Sequence, residues 1–386
     1  MAKPYSYDLR QKVIPAIKLD CLKIIALWLK RQDQTGSFLA GLPVATALLV
    51  PSLTLTNPAF AANPEHIKQL LETKQCKGCD LTNAQLKGAS LEGANLAGAN
   101  LENVYLYQAN LVNANLSGAN VRSADLGDVN MKGINLSGAD LTDTNLKGND
   151  MTGANLENAN LSGAILKCNK TTRTRLTYAN LKKANLTKAD LKGVSLIRAN
   201  LADANLSEAD LTPDSYRAGN IIYISPAYLS GANLRNAHLN KAKLKRANLY
   251  RANLKKAILT NANLNDATLS RANLNDAILT NANISYAKLE MAQLTGADLT
   301  KASLRMSNLE GANLIKANLS NADLVKSKLV DANLTNAILK SARLVDIDMS
   351  RANLMGAELS GAEMRKNNLC DVTMPDGTKT KEGCGN

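Results

Sequence analysis

From Leu81 onward an apolar residue, most often Leu, returns at every fifth position, and nothing else in the chain narrows its fold so far. One series runs from Leu81 to Leu211, 27 sites with Thr171 the single polar occupant; a second runs from Leu229 to Leu369, 29 sites and all apolar. Five residues match neither the 3.6 of a helix nor the alternation of a strand. Self-similarity at a fixed spacing marks a repeat architecture instead. The repeat reads A-(N/D)-L-x-x. Leu and the residue two before it, mostly Ala, supply one large and one small apolar side chain to a narrow core, and the other three residues face water. Gly, Asn or Asp often stands two residues after the Leu, as at Gly88, Gly93, Gly98, Asn103 and Asn113. These residues tolerate positive φ, so the chain can turn once per repeat.

Departures from Ala at the small inward site suggest the size of a full coil. Asn149 is followed twenty residues later by Asn169, and Ser307 by Ser327, Ile347 and Asn367. Residues stacked in one column can compensate one another, and stacked Asn side chains can form a hydrogen-bonded ladder. The segments GANLAGANL and NANLNDATL closely resemble the motif of the pentapeptide-repeat family, over residues 80–211 and 229–369. That resemblance implies an all-β fold, a right-handed quadrilateral β-helix in which four repeats make one square coil.

The flanks divide as follows. Residues 1–37 hold MAKPYSYDLRQKVI and LWLKRQDQTGSF, which resemble the N-terminal region of mariner-like insertion-sequence transposases. The family's second and third helices are missing between Lys23 and Leu27, so this remnant is expected to be disordered and too short to place a helix in a DNA groove. Residues 38–61 read as a signal peptide: Lys30 and Arg31 precede an apolar stretch that ends in Ala59-Phe60-Ala61, a small-x-small cleavage pattern. Residues 62–79 form an N-terminal cap with a short helix opened by Asn63-Pro64. Its face of Ile67, Leu70 and Leu71 is expected to cover Leu81 and Leu86. Residues 80–211 and 229–369 are the two repeat blocks, and 370–386 a C-terminal cap and tail. Between the blocks, 212–228 shift the phase by 18 residues, which is not a multiple of five. Either one coil carries a loop-out or two rods meet at a hinge; Ile221, Ile222, Tyr223 and Ile224 favour a packed loop.

Of six cysteines, Cys21 lies in the leader. Cys76 and Cys79 have redox or half-zinc spacing. Zinc needs about four ligands, and no second pair or His cluster accompanies them. With an export signal the plain reading is a disulfide that clips the helical cap to the first coil. Cys370 and Cys384 read as a second disulfide, and Cys168 as a free thiol.

The net charge of +13 is unevenly placed. Block 80–211 balances thirteen basic against thirteen acidic residues, whereas 229–369 carries twenty against eleven. The densest cluster, Lys241, Lys243, Lys245, Arg246, Arg251, Lys255 and Lys256 with Arg271 beyond it, is a candidate patch for an anionic partner. A twenty-residue coil stacks Arg246 under Asp266 and Lys256 under Asp276, and leaves Arg251 and Arg271 stacked on each other. His66 and His238 read as solvated residues in unrelated segments.

No catalytic constellation, cofactor motif or metal-ligand set is legible. The function expected is a non-enzymatic, exported scaffold, of cyanobacterial type by resemblance, in the periplasm or thylakoid lumen. Its partner is an unidentified protein; nucleic acid is not expected, peripheral membrane contact is compatible, and the oligomeric state is open. Some members of the family resemble a DNA duplex through an acidic surface and bind type II topoisomerase. From Ala62 onward this chain is net +9, thirteen less the four of the leader, which has the wrong sign for that. A retained leader would make the scaffold cytoplasmic or membrane-tethered.

Overall fold

The protein forms a right-handed quadrilateral β-helix, and its computed structural model describes residues 62–169, 172–218 and 221–384. The remnant and signal segment expected over 1–61 lie outside the described residues, as does Thr171. Contacts divide the chain into Met1–Asn57 and Pro58–Asn386, and only the second unit is described below.

Each repeat contributes the same three hydrogen bonds to its neighbouring coils. The Leu81 N–H donates to the Asn100 carbonyl (2.8 Å), the Asn83 N–H to Glu102 (2.9 Å), and the Asn100 N–H back to Cys79 (2.8 Å). Within the repeat the Ala84 N–H donates to the Leu81 carbonyl (3.0 Å). This closes a β-turn whose third residue, Asn83, has φ 60°, as a type II turn requires. The next repeat therefore leaves at a corner, and four such corners return the chain above its start. The Leu and Ala of the repeats point inward and, except near the two ends of the rod, are almost completely buried. The four sides are followed here by their Leu columns: a first side through Leu86, Leu106 and Leu126, a second through Leu91, Leu111 and Met131, a third through Leu96 and a fourth through Leu101.

The parallel bridges step by twenty residues except at two places. Asp150 pairs with Arg175, a step of 25, and Ser195 pairs with Tyr228, a step of 33. The first insertion lies between Leu166 and Leu176, the second between Leu211 and Leu229. Both leave the rod at the corner between its first and second sides, two coils apart. Because Ser195 bridges Tyr228 and Asn200 bridges Asn233, the coils continue past residues 212–228. The phase break is a loop-out. It holds a hairpin, β1 (Asp214–Ala218) antiparallel to β2 (Ile221–Ser225), with Asp214 opposite Ser225. Ile224 is exposed, against the expectation of local burial, and the side chains of Ile221, Ile222 and Tyr223 lie outside the described residues.

The first insertion corrects one column. Arg175 N–H donates to the Asn149 carbonyl, so Thr174 and not Asn169 follows Asn149. Asn149 Oδ1 instead accepts from the Val129 N–H (2.8 Å), while Asn169, in the insertion, donates to Asp128. A seven-residue Asn ladder does exist, on the outer face of the third side. Asn135, Asn155, Asn180, Asn200, Asn233 and Asn253 each donate to the Asn one coil below, starting from Asn115, at 3.0–3.2 Å. It crosses both insertions without a gap. The column of Ser307, Ser327, Ile347 and Asn367 does stack, and the Ile347 N–H donates to Asn367 Oδ1 (3.0 Å).

Both ends carry a cover. Helix α1 (Pro64–Thr73) starts on the Asn63 side chain, which accepts from the Glu65 N–H (3.0 Å), and stops at left-handed Lys74. Leu70 is buried, but Leu71 is 53% exposed and does not share the covering face. His66 is not merely solvated, since its Nδ1 accepts the Asp80 N–H (3.0 Å) of the first coil's open edge. Cys76 and Cys79 are joined as a disulfide, and both sit inside the first coil as its large and small inward residues. The bond staples adjacent core positions rather than helix to coil. At the far end the tail folds back, Leu369 N–H donating to Glu382 and Asp371 N–H to Thr380 (3.0 Å each). Cys370–Cys384 closes that tail; a loop of about fifteen residues is worth roughly 3 kcal/mol in chain entropy. The short strands β3 (Arg343–Val345) and β4 (Glu363–Arg365) pair in parallel one coil apart.

Leu156 is fully buried in mid-rod. Leu156→Lys is expected to open the neighbouring coils, because a charge would be buried without a partner. Thermal melting by circular dichroism should show the midpoint falling sharply, and a wild-type melt would mean that Leu does not face inward.

Candidate functional site

A square coil deals consecutive residues to different sides, and this decides what the basic cluster becomes. Lys243, Lys245 and Arg246 flank Leu244 on the first side, and Arg251 follows Leu249 on the second. Lys255 and Lys256 follow Leu254 on the third, and Lys241 follows Leu239 on the fourth. The cluster is a belt around the rod and not one face. Arg246 is paired with Asp266 (2.9 Å) and Lys243 with Asp210 (3.6 Å). Lys256 and Asp276 stack but form no ion pair among the described residues. Arg251 and Arg271 share a column, both at left-handed turn positions with φ 55° and 60°.

That column has a third member which the sequence conceals. Arg198, also left-handed, follows Leu196 on the second side, two coils below Arg251. The hairpin insertion lengthens their sequence separation from the 40 of two regular coils to 53. Around these arginines lie three tyrosines. Arg198 sits over the Tyr178 ring (5.8 Å) and donates from Nη1 to its hydroxyl (3.0 Å). Arg251 sits over Tyr250 (5.2 Å) and Arg173, from the first insertion, over Tyr228 (4.5 Å). Cation–π contacts of this kind hold a guanidinium in place without neutralising it.

Five consecutive coils, those of Leu176, Leu196, Leu229, Leu249 and Leu269, present no Asp or Glu at the outward positions of this side. Arg198, Arg251 and Arg271 are exposed, and none has a carboxylate within ion-pair distance among the described residues. Arg122, Arg246, Arg305 and Arg351, on other sides or other coils, are each paired, at 3.2, 2.9, 2.9 and 2.7 Å.

The first side is built in the opposite way, from alternating charges. Lys167 and Lys192 reach Asp190 (3.7 Å each), and Lys192 and Lys243 reach Asp210 (3.5 and 3.6 Å). Burial pushes the Asp210 carboxyl up, but hydrogen bonds from Thr212 and the charges of Lys192 and Lys243 outweigh it and hold the group below the usual carboxylate range. At the root of the hairpin burial raises Asp214. Cys168 is a free thiol, partly buried, that donates to the Gly193 carbonyl (3.4 Å); burial raises its ionisation above the ordinary thiol value.

His238 is exposed on the fourth side, far in sequence and structure from the end-capping His66. Among the described residues one group of three possible metal-ligating side chains occurs, Cys370, Asp371 and Cys384, and its two sulfurs are bonded to each other. No described helix is long and apolar enough to cross a membrane.

The family model for pentapeptide repeats matches in eight copies, over residues 75–111, 94–133, 130–167, 174–212, 227–266, 257–290, 292–331 and 332–369. Its breaks at 167–174 and 212–227 fall on the two insertions. Among solved structures the chain is similar to HetL, a pentapeptide repeat protein involved in heterocyst differentiation regulation in the cyanobacterium Nostoc. The identity is 30%, over 70% of this chain and 91% of that one, with a TM-score of 0.17. It is similar to a pentapeptide repeat protein from the Arabidopsis thaliana thylakoid lumen at 27% identity, over 29% of this chain and 70% of that one, with a TM-score of 0.19. Rfr23 of the cyanobacterium Cyanothece is 25% identical over 45% of this chain and 89% of its own, with a TM-score of 0.14. No curated protein matches the chain.

The charge ladder makes stability depend on acid in a defined direction. A carboxyl whose folded pKa is depressed stabilises the fold above its unfolded value, and that contribution is lost as pH falls through the folded value. Asp210 should therefore weaken the mid-rod coils below about pH 4, the ordinary carboxylate value. Asp210→Asn should flatten the acid limb of the melting-temperature profile, while an unchanged profile would remove Asp210 from the acid response. Cys168 should react with iodoacetamide more slowly at neutral pH than the same thiol in urea, and equal rates would contradict its burial.

Proposed function

The chain belongs to the pentapeptide-repeat family, and on that premise we propose that it is an exported, non-enzymatic scaffold whose β-helical surface binds a protein partner. The observation that carries this is how the repeat spends its side chains. Two of every five residues fill the core, one makes the turn, and the residue before each Leu commonly holds the adjacent backbone or coil, as Asn100 does for Glu102 and Asn120. What remains for function is a set of outward columns on flat sides. Such a surface presents charge and shape over a long distance and does not converge on a point.

Export is supported by the apolar stretch 38–61 with its Ala59-Phe60-Ala61 end. The two disulfides add support, since such bonds persist in oxidising compartments. A relative from the thylakoid lumen agrees with it. The periplasm or the thylakoid lumen is the compartment proposed. A DNA-mimicking role toward topoisomerase is disfavoured, because the chain from Ala62 on is net basic.

If Ala61 is the cleavage point, the native protein begins at Ala62 and has lost Trp28, Phe38 and Phe60, the only Trp and Phe in the sequence. Its emission should then be that of Tyr alone, and its intact mass should match residues 62–386. Indole emission together with the mass of the full chain would overturn export and leave a cytoplasmic or membrane-tethered scaffold.

A further inference from the structure

We propose that the second side, from the coil of Leu176 to the coil of Leu269, is a docking wall for an acidic stretch of polypeptide lying extended along the rod. The proposal rests on the scaffold reading and gives its partner a chemistry.

Charge comes first. Arg198, Arg251 and Arg271 stand in one exposed column on a wall with no outward carboxylate over five coils. Coils farther along show what neutralisation looks like in the same column, where Arg351 grips Asp331 through two hydrogen bonds of 2.7 Å. The wall ends where that column changes to Met291, Gly311 and then Asp331. A guanidinium presents a planar fork that matches a carboxylate through paired hydrogen bonds. Tyr178 and Tyr250 brace two of the three forks and offer rings and hydroxyls beside them.

Conformation points the same way. All three arginines occupy left-handed turn positions, with φ of 55°, 55° and 60°. Gly fills that position at many other corners, including Gly231 between Arg198 and Arg251. An L-residue with a long side chain is disfavoured there by about 1–2 kcal/mol. Arg251 and Arg271 also repel each other across one coil. Each corner requires a positive φ, which Asn, Asp and Lys also supply elsewhere, but the repulsion between Arg251 and Arg271 does nothing for the rod and leaves unpaired cations on its surface.

Spacing then selects the shape of the ligand. Coils stack about 4.8 Å apart, so Arg198 and Arg271, three coils apart, are separated by roughly 14 Å. An extended chain rises about 3.3 Å per residue, so side chains at i, i+2 and i+4 lie on one face and span about 13 Å. Arg251 stands about 9.6 Å from Arg198 and about 4.8 Å from Arg271, so carboxylates at i and i+4 meet the two outer arginines and the one at i+2 falls within a side chain's reach of Arg251. Carboxylates at every third position instead alternate between the two faces, so successive ones cannot all reach the column.

The test is fluorescence anisotropy with the full chain and a labelled ten-residue peptide of alternating Asp and Ser. Comparison probes are a thirteen-residue peptide with the same five Asp at every third position among Ser, an oligothymidylate and vesicles of phosphatidylglycerol. Arg198→Glu/Arg251→Glu/Arg271→Glu should weaken alternating-peptide binding at least tenfold. Reversal of three exposed lysines on the third and fourth sides, Lys183, Lys301 and Lys316, should change it less than twofold. Arg198→Gly/Arg251→Gly/Arg271→Gly, which suits the left-handed backbone, should melt no lower than wild type and also lose binding. Equal losses in the arginine and lysine triples, or the every-third-residue peptide binding as tightly as the alternating peptide, would overturn the proposal. Tighter binding of the oligonucleotide or the vesicles than of either peptide would do the same. A partner captured from the exported fraction at wild-type yield by the arginine triple would keep the scaffold reading and remove this wall from it.

Discussion

The structure depends on closing a coil in twenty residues so that each backbone group meets its partner one coil away. A Leu N–H finds a carbonyl nineteen residues ahead only if four corners intervene, and each corner needs one residue with positive φ. The core follows from this closure and does not cause it: a square that small admits one Leu and one Ala per side. Stability is then local, a sum over coils and their neighbours. This explains why the ends are reinforced. An unpaired coil is an exposed sheet edge, and here one end receives a helix with His66 on the open Asp80 N–H, the other a folded tail. Each also has a disulfide.

The fold was legible because a period of five with a large and a small apolar residue has few physical solutions. The corners were legible for the same reason, since Gly, Asn and Asp recur where positive φ is required. What was not legible was register across the insertions. The Asn149–Asn169 echo looked like a column because the sequence spacing was twenty, but the insertion after Leu166 moved Thr174 into that place. Cys76 and Cys79 stood outside the first counted repeat, so their inward burial was hidden.

The basic cluster fails and succeeds in an instructive way. Seven cations within sixteen residues look like a patch if sequence proximity is taken for spatial proximity. In a square coil it is the opposite: neighbours in sequence point in different directions, and neighbours in space are twenty residues apart. Arg251 and Arg271 obeyed that rule and were recognisable as a stack. Arg198 belongs with them but is displaced by the length of the hairpin, whereas its bracing Tyr178 keeps the twenty-residue step and Tyr250 adjoins Arg251.

The two insertions have a consequence beyond the loops they form. The coil absorbs them at a corner, and the Asn ladder passes them without losing a rung. The rod thus behaves like a spiral stair with a balcony let into one corner: the steps above and below keep their places, and only their numbering changes. The extra residues after Leu166 and after Leu211 shift the numbering, and each later Leu keeps the side it would hold without them. Loops can in this way be hung on the outside of the rod with no change to any core residue and no break in any surface column.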